Sequence, residues 1–149
     1  MNSLNINPPL YLFVALCIMA LVHLFSPGAR ALAYPWNLLG IIPLFLGILI
    51  NLRADRLFKE NSISVKPRDE TAELLTHGVF RFSRHPMYLG FVLILLGIAM
   101  LMTSMTPYIV VIFFALFMDR VFIRFEEDKL ESTFGDTWRE YKARVRRWL

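Results

Sequence analysis

The sequence predicts an all-α, polytopic membrane protein with about four transmembrane helices, a C-terminal helical hairpin and a cytoplasmic amphipathic tail helix. Three observations predict it. The chain is 56% hydrophobic and only 19% charged, it contains four apolar segments close to spanning length, and its basic residues gather on one side of them. With positive mean hydropathy, that composition is wrong for a water-soluble domain of 149 residues. No linker, low-complexity tract or internal repeat divides the chain, so residues 1 to 149 are expected to form a single membrane-embedded domain.

A spanning helix needs about 20 mainly apolar residues. The first candidate is "PLYLFVALCIMALVHLFS" (9 to 26), closed by Pro27 and Gly28, and the second is "WNLLGIIPLFLGILINL" (36 to 52), with Trp36 as an interface anchor and a kink expected at Pro43. "YLGFVLILLGIAMLM" (88 to 102) and "PYIVVIFFALFMDRVFI" (107 to 123) follow. The link between these two, residues 103 to 106, is so short that they must form an antiparallel hairpin. "ALA" at 31 to 33 resembles a signal-peptide cleavage site, but no Lys or Arg precedes Arg30, so a retained first helix is expected. Cys17, the single cysteine, is expected to serve packing. His23 in the first segment is expected to pair with a backbone or hydroxyl group.

Charge gives the orientation. Arg53, Arg56, Lys59, Lys66, Arg68, Arg81 and Arg84 crowd the loop at 53 to 87, eight more basic residues lie between Arg120 and Arg147, and only Arg30 lies elsewhere. With four spans, the positive-inside rule places both termini, the 53 to 87 loop and the 124 to 149 tail in the cytoplasm. The net charge of +4 then reflects topology and anionic headgroups, and no nucleic-acid partner is needed to explain it.

Because the last two spans form a hairpin, residues before the third and after the fourth must meet at one membrane face. This brings "RFSRHPMY" to the tail that begins "RFEEDKLES", and so Arg84, His85 and Tyr88 toward Arg124, Glu126 and Glu127. In the tail, Gly135 is expected to end a helix and Asp136 to cap another, with Trp138, Tyr141, Val145 and Trp148 at helical spacing. That amphipathic helix would roof the cluster or lie among the headgroups. Each residue also has an ordinary reading: adjacent glutamates usually face water, Pro86 can simply start a helix, boundary arginines set topology, and Asp119 and Arg120 can snorkel to the interface.

"GVFRFSRHPMYLG", followed by a hairpin and "RFEEDKLESTFGDTWREYKARV", resembles the integral membrane methyltransferases of the isoprenylcysteine carboxyl methyltransferase family and the related phospholipid methyltransferases. The resemblance covers roughly residues 72 to 147. It rests on the order Arg-His-Pro-x-Tyr-x-Gly, hairpin, Glu-Glu. It implies methyl transfer from S-adenosylmethionine, with the cofactor enclosed between loop and tail. The sequence holds no Gly-x-Gly-x-x-Gly fingerprint of a soluble dinucleotide-type fold. By resemblance, Leu74, Leu75, Phe80, Arg84, His85, Pro86, Met87, Tyr88, Glu126 and Glu127 bind the cofactor, Arg124 and Glu127 are catalytic, and Arg120 and Arg124 face the substrate. One departure stands out: the family's turn tyrosine is Phe80 here, which keeps a stacking surface and loses a hydroxyl.

The chemistry suits these residues. A sulfonium methyl is already electrophilic, so alignment and exclusion of water are the main tasks, and no metal is required. The expected substrate is a lipophilic or lipidated molecule entering from the bilayer. A prenylcysteine carboxylate is ionised at neutral pH and needs only a positioning arginine, whereas a phospholipid amine must first lose a proton. The first is favoured by resemblance, and phospholipid N-methylation is the alternative. Two rivals come from other classes. An NADPH-dependent sterol-type reductase shares the Arg-His-Pro stretch but tends to carry an acidic residue after the glycine, where Phe91 stands here. A non-enzymatic lipid-binding membrane protein would present a similar cluster.

Overall fold

A computed structural model describes residues 8 to 60 and 74 to 149; Lys66 and Arg68, counted above among the loop's basic residues, lie outside them. Helix α1 (Pro8–Phe25) buries Ala15 and Met19 and leaves Phe13, Leu21, Leu24 and Phe25 exposed. A 3₁₀ turn (Trp36–Gly40) leads into α2 (Ile41–Glu60). Pro43 falls in the first turn of α2, where a missing N–H is tolerated, so the expected mid-helix kink is replaced by the 3₁₀-to-α junction. The helix also continues eight residues beyond the expected end at 52, which puts Arg53, Arg56 and Lys59 on a helix and not in a loop.

Helices α3 (Pro86–Leu101) and α4 (Thr106–Phe117) form the expected hairpin. The turn is closed by Thr103 with φ 62°. From α4 the chain passes without a break through a π-helical stretch (Met118–Ile123) into α5 (Arg124–Arg144). At Gly135 the backbone turns to φ 51° and ψ −119°, so this glycine interrupts the helix, as the sequence suggests, and helix resumes after it. Beyond Arg144 the tail straightens, with Val145 extended. Val145 and Trp148 therefore do not continue the helical face of Trp138 and Tyr141. An isolated bridge pairs Arg30 with Ser104, and no strand occurs among the described residues.

Among the described residues, two helices, Pro8–Phe25 and Trp36–Glu60, are long and apolar enough to cross a membrane. Only 11% and 17% of their apolar windows are buried, unlike the core helices of soluble proteins, and large apolar side chains such as Phe45, Ile112 and Phe113 also face outward. The interior runs along α1, α3, α4 and the π stretch, where Met19, Leu95, Ala99, Phe114, Met118, Phe122 and Ile123 pack together. Tyr11 sets its ring centroid 5.7 Å from that of Phe117 and 5.0 Å from that of Phe122. Cys17 is exposed on α1, so the packing role expected of it is not seen. At the far end from the Arg-His-Pro motif, His23 Nδ1 meets Ser104 Oγ at 2.7 Å, the hydroxyl partner the sequence called for.

Helices α2 and α3 touch backbone to backbone. A Cβ placed on Gly40 would lie 2.5 Å from the carbonyl oxygen of Gly97, and one on Gly47 would lie 2.5 Å from that of Gly90. Gly40, at the end of the 3₁₀ turn, and Gly47 are seven residues apart, as are Gly97 and Gly90 on the antiparallel α3, forming a seam of small residues of the kind that lets helices approach closely in a bilayer. Gly90 closes the Arg-His-Pro-x-Tyr-x-Gly motif, and its role here is helix packing.

Candidate active site

Pro86 occupies the start of α3, and His85 precedes it as N-cap without making a side-chain cap hydrogen bond. The imidazole is free to do something else. Its Nε2 lies 3.4 Å from Glu127 Oε1 and its Nδ1 lies 3.4 Å from Glu126 Oε2. Successive residues on an α-helix point about 100° apart, so the adjacent glutamates opening α5 hold the ring between them, one carboxylate on each nitrogen. The hairpin has brought its two feet together as expected.

A second cation enters from each side. Arg84 Nη1 lies 3.1 Å from Glu127 Oε1, and Arg147 grips the same carboxylate with Nη2 to Oε2 at 2.6 Å and Nε to Oε1 at 3.2 Å. Arg147 also reaches Asp119 in the π stretch at 3.3 Å, and Trp148 Nε1 donates to Asp119 at 3.1 Å. The tail segment is pinned by backbone as well: Arg84 N–H donates to the Arg146 carbonyl at 3.1 Å, and Ser83 Oγ donates to the Arg147 carbonyl at 3.1 Å. Ser83 Oγ in turn accepts from the His85 N–H at 3.2 Å.

The electrostatics follow from burial set against these partners. Burial opposes a charge on His85, but the hydrogen bonds and charges of Glu126 and Glu127 outweigh it and raise its pKa. Burial likewise opposes a charge on Glu127, yet His85, Arg147 and Arg84 hold its carboxyl down at about 2. For Arg84 desolvation wins and lowers its pKa, with Arg147 adding repulsion and Glu127 only partly compensating. Arg84 is thus the strained member. Despite the nearby carboxylate, its Nε and Nη1 are buried without a hydrogen bond, as is Trp138 Nε1, while the guanidinium carbon sits 5.7 Å from the Trp138 ring centroid.

An apolar wall stands beside the charges. Leu75 and Phe80 are buried with Ala54, and Met87 packs against them half-buried. Phe80 meets Phe58 edge to face at 5.6 Å, and its carbonyl accepts from Tyr141 Oη at 2.7 Å. Burial drives the Tyr141 phenol up to about 12, against a smaller pull from Arg84. Tyr88 is buried with its ring centroid 5.9 Å from that of His85. Leu74 is half-buried and Pro86 is buried. The half of α5 after Gly135 covers the cluster through buried Trp138 and Tyr141.

The cofactor residues expected from the sequence therefore converge, whereas Arg120 and Arg124, expected to face substrate, are exposed and outside the charged cluster. Sequence reasoning missed Arg147, Asp119, Ser83 and Trp148. The signal for Arg147 was hidden because the tail reads as continuous helix to its last residues.

Residues 36 to 137 match the sequence profile described as phospholipid methyltransferase. A stretch of 63 residues, 42% of this chain, is 44% identical to an uncharacterized protein of Haemophilus influenzae over all of that protein's length. Over 86 residues, 56% of the chain, it is 33% identical to protein-S-isoprenylcysteine O-methyltransferase of Schizosaccharomyces pombe, and that match covers 35% of the yeast protein. No solved structure matches the chain.

Proposed function

The chain belongs to the phospholipid methyltransferase family, and from that premise we propose that it is an S-adenosylmethionine-dependent membrane methyltransferase acting on a lipophilic acceptor. The observation that carries this reading is the shielded cage of Arg84, His85, Glu126 and Glu127 between the hairpin's feet, in which buried Arg84 keeps donors without hydrogen-bond partners. Those donors suit the cofactor's carboxylate, and Glu126, still 45% exposed at its side chain, suits its ammonium or ribose hydroxyls. Phe80, Leu75, Leu74 and Met87 supply the apolar surface an adenine needs. When bound, the cofactor would supply an electrophilic methyl group.

The two glutamates divide the work. Glu127 is already engaged by Arg84, His85 and Arg147, so its role is to hold the cage together, while Glu126 is the carboxylate left to meet a ligand. Trp138 and Tyr141 exclude water from above, which favours an unhydrated nucleophile. In this reading exposed Arg124 and Arg120 orient an acceptor anion outside the cage, and a carboxylate acceptor is favoured, in keeping with the O-methyltransferase name of the yeast relative. A phospholipid amine is the second reading, supported by the family description; Glu126 would then take up the amine's proton.

Four membrane crossings with both ends and the site in the cytoplasm complete the proposal. The 16 residues of α3 rise about 24 Å and the 18 residues from Thr106 to Ile123 about 27 Å, near the thickness of a hydrocarbon core. Calorimetry with S-adenosylmethionine, S-adenosylhomocysteine and NADPH tests the cofactor. Micromolar binding of the first two and none of NADPH is expected; the reverse, or no binding by folded protein, overturns the reading. Transfer of labelled methyl to a prenylcysteine analogue or to phosphatidylethanolamine decides the acceptor.

A further inference from the structure

A concavity of about 600 Å³ opens beside the turn that carries Phe80. On α2, Arg53, Arg56, Leu57 and Glu60 line it at positions i, i+3, i+4 and i+7, one face of a helix. From the turn come Val79, Arg81 and Phe82. Phe80 points inward and is buried, whereas Arg81 and Phe82 point out, Phe82 with 73% of its surface exposed. Arg53, Arg56 and Arg81 form no ion pair with any described residue, although the neighbouring Asp55 is held by Lys59 at 2.6 Å. Three arginines from two separate segments, without an ion-pair partner among the described residues, line one cavity whose single described carboxylate is Glu60. All three are exposed, so water screens their mutual repulsion, and an anion among them would add charge-assisted contacts.

We infer that this cavity binds the phosphodiester of an anionic phospholipid from the adjoining leaflet, at a site separate from the methyl-transfer cage. Guanidinium groups match phosphate oxygens in bidentate geometry. The choice of a lipid over a free anion rests on position and lining. Arg53 and Arg56 lie near the end of a helix long and apolar enough to cross a membrane, where hydrocarbon gives way to headgroups. Leu57, Val79 and exposed Phe82 offer the acyl and glycerol portions an apolar surface, from which inorganic phosphate would gain nothing. Glu60 leaves the lining net positive and disfavours a ligand with two adjacent negative charges. This site goes beyond the methyl-transfer reading and holds whichever acceptor is used.

The test uses the full chain in neutral detergent with equimolar phosphatidylglycerol and phosphatidylcholine, and native mass spectrometry to count retained lipids. Wild-type protein should retain phosphatidylglycerol preferentially. Arg53→Gln, Arg56→Gln and Arg81→Gln should each weaken that retention roughly fivefold, as expected of a basic side chain at an anionic surface. Arg144→Gln, a tail arginine outside the cavity, should leave retention unchanged. Equal loss in the Arg144 variant would mean diffuse electrostatics and overturn the site. Displacement of the lipid by modest inorganic phosphate would make this a free-anion site and overturn the lipid assignment. Circular dichroism confirms folding of each variant, and unchanged retention in all three cavity variants would also refute the proposal.

Discussion

Arg147, six residues past the buried Tyr141, closes a two-point clamp on Glu127, with Nη2 to Oε2 at 2.6 Å and Nε to Oε1 at 3.2 Å. That pair joins the tail to the foot of the hairpin, and Asp119 backs it from the π stretch. Replacing Arg147 by Gln removes a charge-assisted contact to a buried carboxylate, worth about 1.5 to 3 kcal/mol. The expected outcome is a lower melting temperature and faster tryptic cleavage in the tail, read by a thermal melt and limited proteolysis. An unchanged melt would mean that the backbone bonds from Ser83 and Arg84 hold the tail alone.

Acid should loosen the same clamp. The Glu127 carboxyl is held at about 2, below its ordinary 4.5, so folded Glu127 contributes stability that is fully present above about 4.5 and is lost as pH falls toward 2. Melts taken from pH 7 downward should be flat in this contribution until about 4.5 and then decline. Glu127→Gln should be less stable at pH 7, by about 3 to 5 kcal/mol if Arg84 is left uncompensated, and should show a shallower acid decline.

His85 responds in the opposite sense. Its pKa is raised, so the protonated ring contributes stability that is complete below 6.5 and disappears as pH rises through the raised value. Glu126→Gln removes one of its two carboxylate partners. The imidazole's titration, followed by NMR on histidine-labelled protein, should move down, and S-adenosylmethionine binding should weaken about 10- to 100-fold. A titration unchanged in Glu126→Gln would show that Glu127 alone sets the charge on the ring.

The glycine seam makes a packing prediction. A Cβ on Gly97 would fall 2.6 Å from the Gly40 carbonyl oxygen and 2.6 Å from the Leu44 amide nitrogen, atoms that cannot rotate away. Gly97→Val should force α2 and α3 apart and cost about 1 to 3 kcal/mol, seen as a lower melting temperature far from the charged cage. Wild-type stability would mean the helices separate freely.

What could be read from sequence was the part governed by connectivity and hydropathy. A four-residue link dictates a hairpin, and a hairpin dictates that His85 meets Glu126 and Glu127. The length of α2 was misread because its last two turns carry Arg53, Arg56 and Lys59, which hydropathy assigns to a loop although their spacing is also helical. Arg147 was misplaced because Tyr141 to Trp148 has a helical pattern, while the structure straightens the segment and pairs it with Ser83 and Arg84. Cys17 illustrates a different failure: in an apolar helix, composition cannot distinguish the face turned to neighbours from the face turned to lipid. The cavity of Arg53, Arg56 and Arg81 needed both the extended α2 and the outward side of the turn.

The π stretch from Met118 to Ile123 gives the long rod from α4 to α5 two angular settings. In an uninterrupted α-helix every residue advances about 100°, and a π bulge takes up the equivalent of one inserted residue. The α4 part can thus keep Phe114 and Met118 inward while the part beyond the bulge keeps Glu127 on His85, a combination one uniform helix would not provide. The bulge works as a phase adjuster: shortening the rod by one residue there would leave α4 in place and swing both carboxylates about a quarter turn away from the imidazole.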